Sequence, residues 1–407
     1  MSDVNVKLSL RRLADAPHRL FFFLGTAGLL ATSLWWLTAM LLRYTPLSIG
    51  INTSGFPSQL HPLAMIFGFF PFFIFGFAFT AGPRWLQVPP PATSQYLIPG
   101  IAMGGAFLSL FPAMFAGDGV VALSLSLYAC FAFLLWYRFS RLVSQSRAPD
   151  KVHARIIQLS LAIGGLTLVA AIAGIVSGRE WHAIVRNGGI WGFLVPLICT
   201  VCHRMLPFFT ASAQGSHFLW RPWWLLAAMV GGSYLHGLLD LFAETRWLWV
   251  VDGPMAIIGF AMVWRWGLIQ SLRNRLLAML HLSFVWLAIG YTLSFIQSLM
   301  ALANLAVLGL GPMHAITIGF LASITIAMVT RVTCGHSGRT LAADGVTWVL
   351  FLVFQSVAVS RVAAEVFPVH YAGFIVFGSL VWFACFGVWG WRNAPIYLSA
   401  RTDGIAG

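Results

Sequence analysis

Twelve apolar runs, each about 18 or more residues long, constrain this chain of 407 residues more than any other feature. They lie at approximately 20–42, 62–82, 96–116, 119–137, 156–176, 188–209, 222–242, 247–269, 278–300, 311–331, 345–363 and 370–391. Lipid offers backbone N–H and C=O groups no partners, so an apolar run of this length crosses it as a helix. Only 9% of the residues are charged, where a soluble chain carries roughly a quarter. No stretch remains for a soluble domain. The sequence predicts an all-α polytopic integral membrane protein, one transmembrane domain over 1–407 with a short lead-in at 1–19 and a tail at 392–407.

The formal net charge of +13 invites a nucleic-acid reading, but the charge is distributed otherwise. With the N-terminus inside, nineteen of the 24 Lys and Arg residues fall on the cytoplasmic side. The outer side keeps five, namely Arg43, Arg179, Arg186, Arg246 and Arg361. This positive-inside bias places both termini in the cytoplasm and the basic loops against anionic lipid head groups, not DNA. The first run is too long for a signal-peptide core and lacks a cleavage site. Five cysteines, Cys130, Cys199, Cys202, Cys334 and Cys385, lie within or at the ends of helices and form no secreted disulfide framework.

Histidine is costly in lipid unless paired or bound, so the intramembrane histidines are the first site candidates. His314 stands at the outer end of GPMHAITIGFLASITIAMVTRVTCGHSGR (311–339), whose other end carries Arg331, His336 and Arg339. Gly319, Ala322, Ser323 and Ala327 keep one face of that helix thin. His61 opens the second helix, and His281 lies in RLLAMLHLSFVWLAIGY. His236 precedes Asp240 by four residues, the spacing of an oriented imidazole–carboxylate pair. The sixth helix ends LICTVCHRMLPFFTAS, so Cys199, Cys202, His203 and Arg204 share one face. Cys-x-x-Cys-His is nominally a covalent haem motif. Here the charge bias puts it at a reducing cytoplasmic helix end, and no covalent attachment is expected.

Gly100 with Gly104, and Gly174 with Gly178, have the spacing for close helix approach. His153 and His182 read as solvated loop residues, and Arg361, Glu365 and His370 as an exposed ion pair and a surface histidine.

Depth divides the candidates. His61, His236, His314 and His370 belong to the outer half; His203, His281 and His336 belong to the inner half. From His314 to Arg331 the helix runs about 25 Å, so His314 and His281 cannot share one ion.

The 311–339 stretch resembles the NnrS family of membrane haem and copper proteins linked to nitric oxide stress. That family has Ala-Leu-His-Ala-Leu-Thr running into Arg and then Gly-His-Thr-Gly-Arg, and His314, Arg331, Gly335, His336, Gly338 and Arg339 fall on those positions. Gly76, Phe77, Thr80, Ala81, Pro83 and Trp85 follow a second family pattern. Arg204 with Pro207, Phe208, Phe209 and Thr210 follows a third, and His281 with Trp286 and Gly290 a fourth. The family's His-Ala-His-Glu-Met is degenerate here: His61 is kept, but Leu63 and Ala64 replace the second histidine and the glutamate.

The resemblance implies a bacterial inner-membrane protein that binds haem b, with copper as a second metal, and protects against nitric oxide or nitrosylated iron. No flavin or nicotinamide motif is present, so electrons would come from an unidentified donor. Two haem sites stay open: an outer one with His61 and His314, or an inner one with His203, His281 and His336 beside Arg204, Arg331 and Arg339. Of all the histidines, His314 and His281 are expected to matter most for cofactor content. A haem–copper-oxidase-like terminal or nitric oxide reductase subunit is a second class, although adjacent histidines after helix 6 and a His-x-His in helix 10 are missing. A transporter or sensor with structural histidines is a third. Oligomeric state is open.

Overall fold

A computed structural model of the chain describes residues 8–47, 56–215, 219–305 and 308–404, so residues 1–7 of the lead-in and 405–407 of the tail lie outside it. All twelve expected spans are helices: α1 Pro17–Tyr44, α2 Gln59–Leu86, α3 Thr93–Ala113, α4 Asp118–Gln145, α5 Val152–Ser177, α6 His182–Ala213, α7 Trp223–Leu241, α8 Thr245–Arg265, α9 Arg275–Leu302, α10 Gly311–His336, α11 Gly345–Val366 and α12 Pro368–Leu398. Among the described residues there is no strand. The expected all-α membrane bundle is what forms.

Consecutive helices pack on one another, except that α3 packs on α1 and α4, and α12 returns to pack along α1. Both ends of the chain meet on one face. Ser9 N–H donates to the Leu398 carbonyl at 2.9 Å, and Arg19 donates to the carbonyls of Tyr397 and Ser399 at 3.1 and 2.7 Å. An even number of crossings requires this.

Three helices form the interior. In α2, α6 and α10, 83%, 78% and 78% of the apolar stretch is buried, against 28–67% in the other nine. They stand four apart in the chain, each with its N-terminus at the same face, opposite the two chain ends and outer in the topology predicted from the charge bias. The peripheral helices instead show large apolar side chains such as Leu123, Leu166 and Ile257 to the surrounding lipid.

The interior helices are not regular, and sequence explains where they depart. α2 breaks between Phe67 and Phe70, because Pro71 has no N–H to offer the Phe67 carbonyl. That carbonyl instead accepts a hydrogen bond from the Tyr128 hydroxyl at 2.7 Å. α6 and α10 each contain a π-helical stretch, Asn187–Leu194 and Ala315–Ala322, a form that recurs at functional sites.

The thin face of α10 is real. A Cβ on Gly319 would lie 2.4 Å from the Trp286 ring of α9, and one on Gly290 would meet Ile316 at 2.4 Å. Gly100 and Gly104 likewise seat Leu20, Phe21 and Leu24 of α1. The Gly174–Gly178 pair works differently: Gly174 abuts Trp181, while Gly178 has φ +66° and ends α5 in the left-handed form that glycine tolerates.

Candidate functional site

The outer ends of α2, α6 and α10 enclose a cavity of about 460 Å³, within the range of roughly 300–1,000 Å³ common to ligand sites. Each interior helix brings one histidine to it: His61, His182 and His314. Both π-helical stretches face it, through Ile190 and Leu194 on α6 and Thr317 and Ile318 on α10.

The three imidazoles differ in what holds them. His314 is buried, and its Nδ1–H donates to the Leu310 carbonyl one turn back at 2.9 Å. That bond fixes the tautomer and leaves Nε2 bare and able to ligate. His61 lies against the Trp36 ring, with centroids 3.8 Å apart, and its buried Nδ1 has no hydrogen-bond partner among the described residues. His182 stacks on Trp181 and donates Nδ1–H to Glu180, so its buried, unpartnered Nε2 is the free nitrogen. Hydrogen bonds from the His182 backbone and ring hold the Glu180 carboxyl below the usual glutamate range.

Cations stand beside these rings. Of the five outer arginines, Arg43, Arg186 and Arg361 line the cavity. Arg186 pairs with Asp240 at 3.0 Å and Arg361 with Glu365 at 3.6 Å. Even so, Arg186 Nε and Arg361 Nη1 are buried without a partner among the described residues. A buried, unpaired guanidinium nitrogen is costly, and an anionic group in the cavity would satisfy it. Most of the remaining lining is apolar, from Met40 and Phe69 to Val357 and Trp382.

Several expectations change here. His182 is not a solvated loop residue, and Arg361–Glu365 is not an exposed pair: the side chains are only 12% and 17% exposed, and Arg361 forms part of the cavity wall. His236 does not pair with Asp240. Its Nδ1 meets Asp252 of α8 at 2.7 Å, because Asp240, one turn nearer the surface, is drawn to Arg186. Asp252 is fully buried, and the sequence reading did not single it out. A carboxylate inside an apolar run was signal enough to have found it. His370 is exposed, as expected.

The inner histidines do not converge. His203 is buried, with Nδ1 3.0 Å from His153 Nε2 and Nε2 3.2 Å from the Pro222 carbonyl, so both ring nitrogens are engaged. His153 is therefore a core residue, not a solvated one. His281 Nε2 lies 2.9 Å from the Thr210 hydroxyl. His336 packs on His18, with centroids 4.6 Å apart. The arginines are equally scattered: Arg204 lies over Trp85 and beside Asp150, Arg331 over Phe209, and Arg339 is exposed. Among the described residues, no three His, Cys, Asp or Glu side chains gather as one metal would require.

The family model described as NnrS protein matches residues 12–401, nearly the whole chain. The chain belongs to the NnrS family. A search of curated proteins finds no match. The NnrS match covers all twelve helices and every histidine of the outer cavity.

Proposed function

We propose that this NnrS-family protein binds haem b in the outer cavity and acts there on nitric oxide or nitrosylated iron in the bacterial inner membrane. His314 Nε2 is the ligating nitrogen, and His61 meets the group from α2. The observation that carries this reading is the pairing, in one cavity, of imidazoles with free nitrogens and arginines with unpartnered ones. Haem has the complementary parts: an iron for imidazole, an apolar ring and two carboxylates. Bound there, it supplies an iron that takes up a diatomic ligand and exchanges electrons.

The chain's own residues do the rest. Leu310 fixes the His314 tautomer, Arg361 and Arg186 attract the carboxylates, and the apolar wall keeps water out. The electron donor is a separate molecule. The resemblance also implies copper, but Leu63 and Ala64 are buried and carry no ligating atoms. We therefore infer sub-stoichiometric copper; one tightly held copper per chain, lost on His61→Ala, would contradict this.

Purified protein in detergent should show a Soret band, and the reduced form should shift on addition of nitric oxide. His314→Ala should lose most of its haem and His61→Ala should lose part of it or change its spectrum. Full haem with unchanged spectra in both variants would remove the ligand assignment. Absence of haem from the wild-type protein would remove the reading itself.

A further inference from the structure

Directly inward of the outer cavity lies a second, separate one of about 60 Å³. It uses the same three interior helices, completed by α1 and α5. Phe70 and Leu194 border the outer cavity, and Phe73, Leu197 and Ile198, three or four residues along, border this one. On α2 and α6 one helical turn, about 5 Å, separates them, and on α10 Ile318 and Ile324 stand six residues, about 9 Å, apart.

Its walls are apolar. The only polar side-chain groups among its lining residues are the Thr325 hydroxyl and the Cys202 thiol. The thiol is a weak partner at best. An internal water takes a share of about 30 Å³ and needs two to four polar partners. This space has the volume for a water but not the partners, and such cavities stay dry and take apolar guests. Haem needs far more room, and no charged side chain lines the cavity to hold an ion.

We propose that this inner cavity is a docking site for a small apolar molecule of diatomic-gas size. Such a guest dissolves in the bilayer, and the cavity holds it inward of the outer cavity, with Ile324 ten residues, about 15 Å, along α10 from His314. No bond forms or breaks there; the cavity stores and orients. Its role as an antechamber to bound haem rests on the function proposed above, whereas occupancy itself does not.

Xenon is the probe. Full-length protein in nanodiscs should give a saturable protein-dependent change in the xenon-129 resonance. Ala78→Phe and the milder Ala78→Leu fill the cavity and should abolish or weaken it several-fold, and Ile198→Ala enlarges it and should strengthen it. Circular dichroism confirms that each variant folds, and Ala78→Leu with Ile198→Ala suffices if Ala78→Phe does not. No saturable component in the wild type, equal binding in all variants, or binding only after stripping of lipid would each overturn the proposal; the last would assign the space to an acyl chain. Flash photolysis of the nitrosyl form then reads the connection: filling the cavity should alter the fast rebinding fraction without changing haem content. Xenon binding in a haem-free protein would keep the cavity and sink the haem reading; haem without xenon binding would do the reverse.

Discussion

His236 on α7 and Asp252 on α8 are joined at 2.7 Å by a hydrogen bond buried within the membrane-spanning bundle. The Trp191 ring lies over the imidazole with centroids 3.7 Å apart, and Asp252 has no exposed surface. Removing one partner strands the other in a medium of low polarity, whereas removing both does not. Asp252→Ala should cost about 3–5 kcal/mol. His236→Phe combined with Asp252→Leu should recover much of that loss. Denaturant unfolding in detergent checks both. Equal losses in the single and double variants would mean that the pair does not couple α7 to α8.

How much of this was legible beforehand depends on how many meanings a residue pattern has. A long apolar run has one meaning in lipid, so all twelve spans could be read. His61 and His314 were legible as equal in depth, since depth follows from counting residues along a helix. His182 was not, because it sits just before its apolar run and reads as loop. Its buried Nε2 becomes visible only once α6 is seen to be an interior helix. Arg361 was hidden by Glu365, four residues on, which makes any helix surface look like a routine ion pair. The outer position of Arg361 was itself a sign, since it runs against the positive-inside bias.

Gly319 tests the close contact between α9 and α10. A methyl group there meets the Trp286 ring at 2.4 Å, and the α10 backbone on which it stands cannot move without disturbing His314. Overpacking of this kind costs about 1–3 kcal/mol. Gly319→Ala should lower thermal stability and also reduce occupancy of the outer cavity. Gly345→Ala, where a Cβ meets nothing within 4 Å, is the control and should leave both unchanged.

The pH dependence of the Glu180–His182 contact has a definite sign. The Glu180 carboxyl is held below its ordinary range by hydrogen bonds from the His182 backbone and ring. A depressed folded-state value means that the contribution is fully present above the unfolded value of about 4.3 and is lost as pH falls through the folded one. Wild type and Glu180→Gln should therefore differ in melting temperature by a constant amount above about pH 5, with the gap closing in more acid solution. A gap that widens toward acid would reverse the assignment. The group is exposed, so the effect is small.

Topology can be checked without any cofactor. Ser9 and Leu398 are hydrogen bonded, so both termini share one face whichever way the protein is inserted. The nineteen-to-five distribution of basic residues predicts that this face is cytoplasmic. A green fluorescent protein fused to the C-terminus should fluoresce, and alkaline phosphatase at the same point should be inactive. The opposite pair of results would invert the molecule and turn the outer cavity toward the cytoplasm.

The Cys199-x-x-Cys202-His203 run offers the sharpest conflict between a motif and its setting. Covalent haem attachment needs two accessible thiols and a free imidazole in an oxidising compartment. Both thiols are instead buried in α6, with 1% and 0% exposure, and Cys202 faces the small apolar cavity. Both nitrogens of His203 are already engaged, by His153 and by the Pro222 carbonyl. A porphyrin could reach these atoms only by displacing the packing of α5 and α6. Acidified acetone should therefore extract all the haem, and a denaturing gel should show no haem-linked peroxidase stain at the mass of the protein. Cys199→Ser with Cys202→Ser should keep its haem. A stain that persists in the wild type and disappears in that double variant would overturn the non-covalent assignment and the cytoplasmic placement of the inner face together.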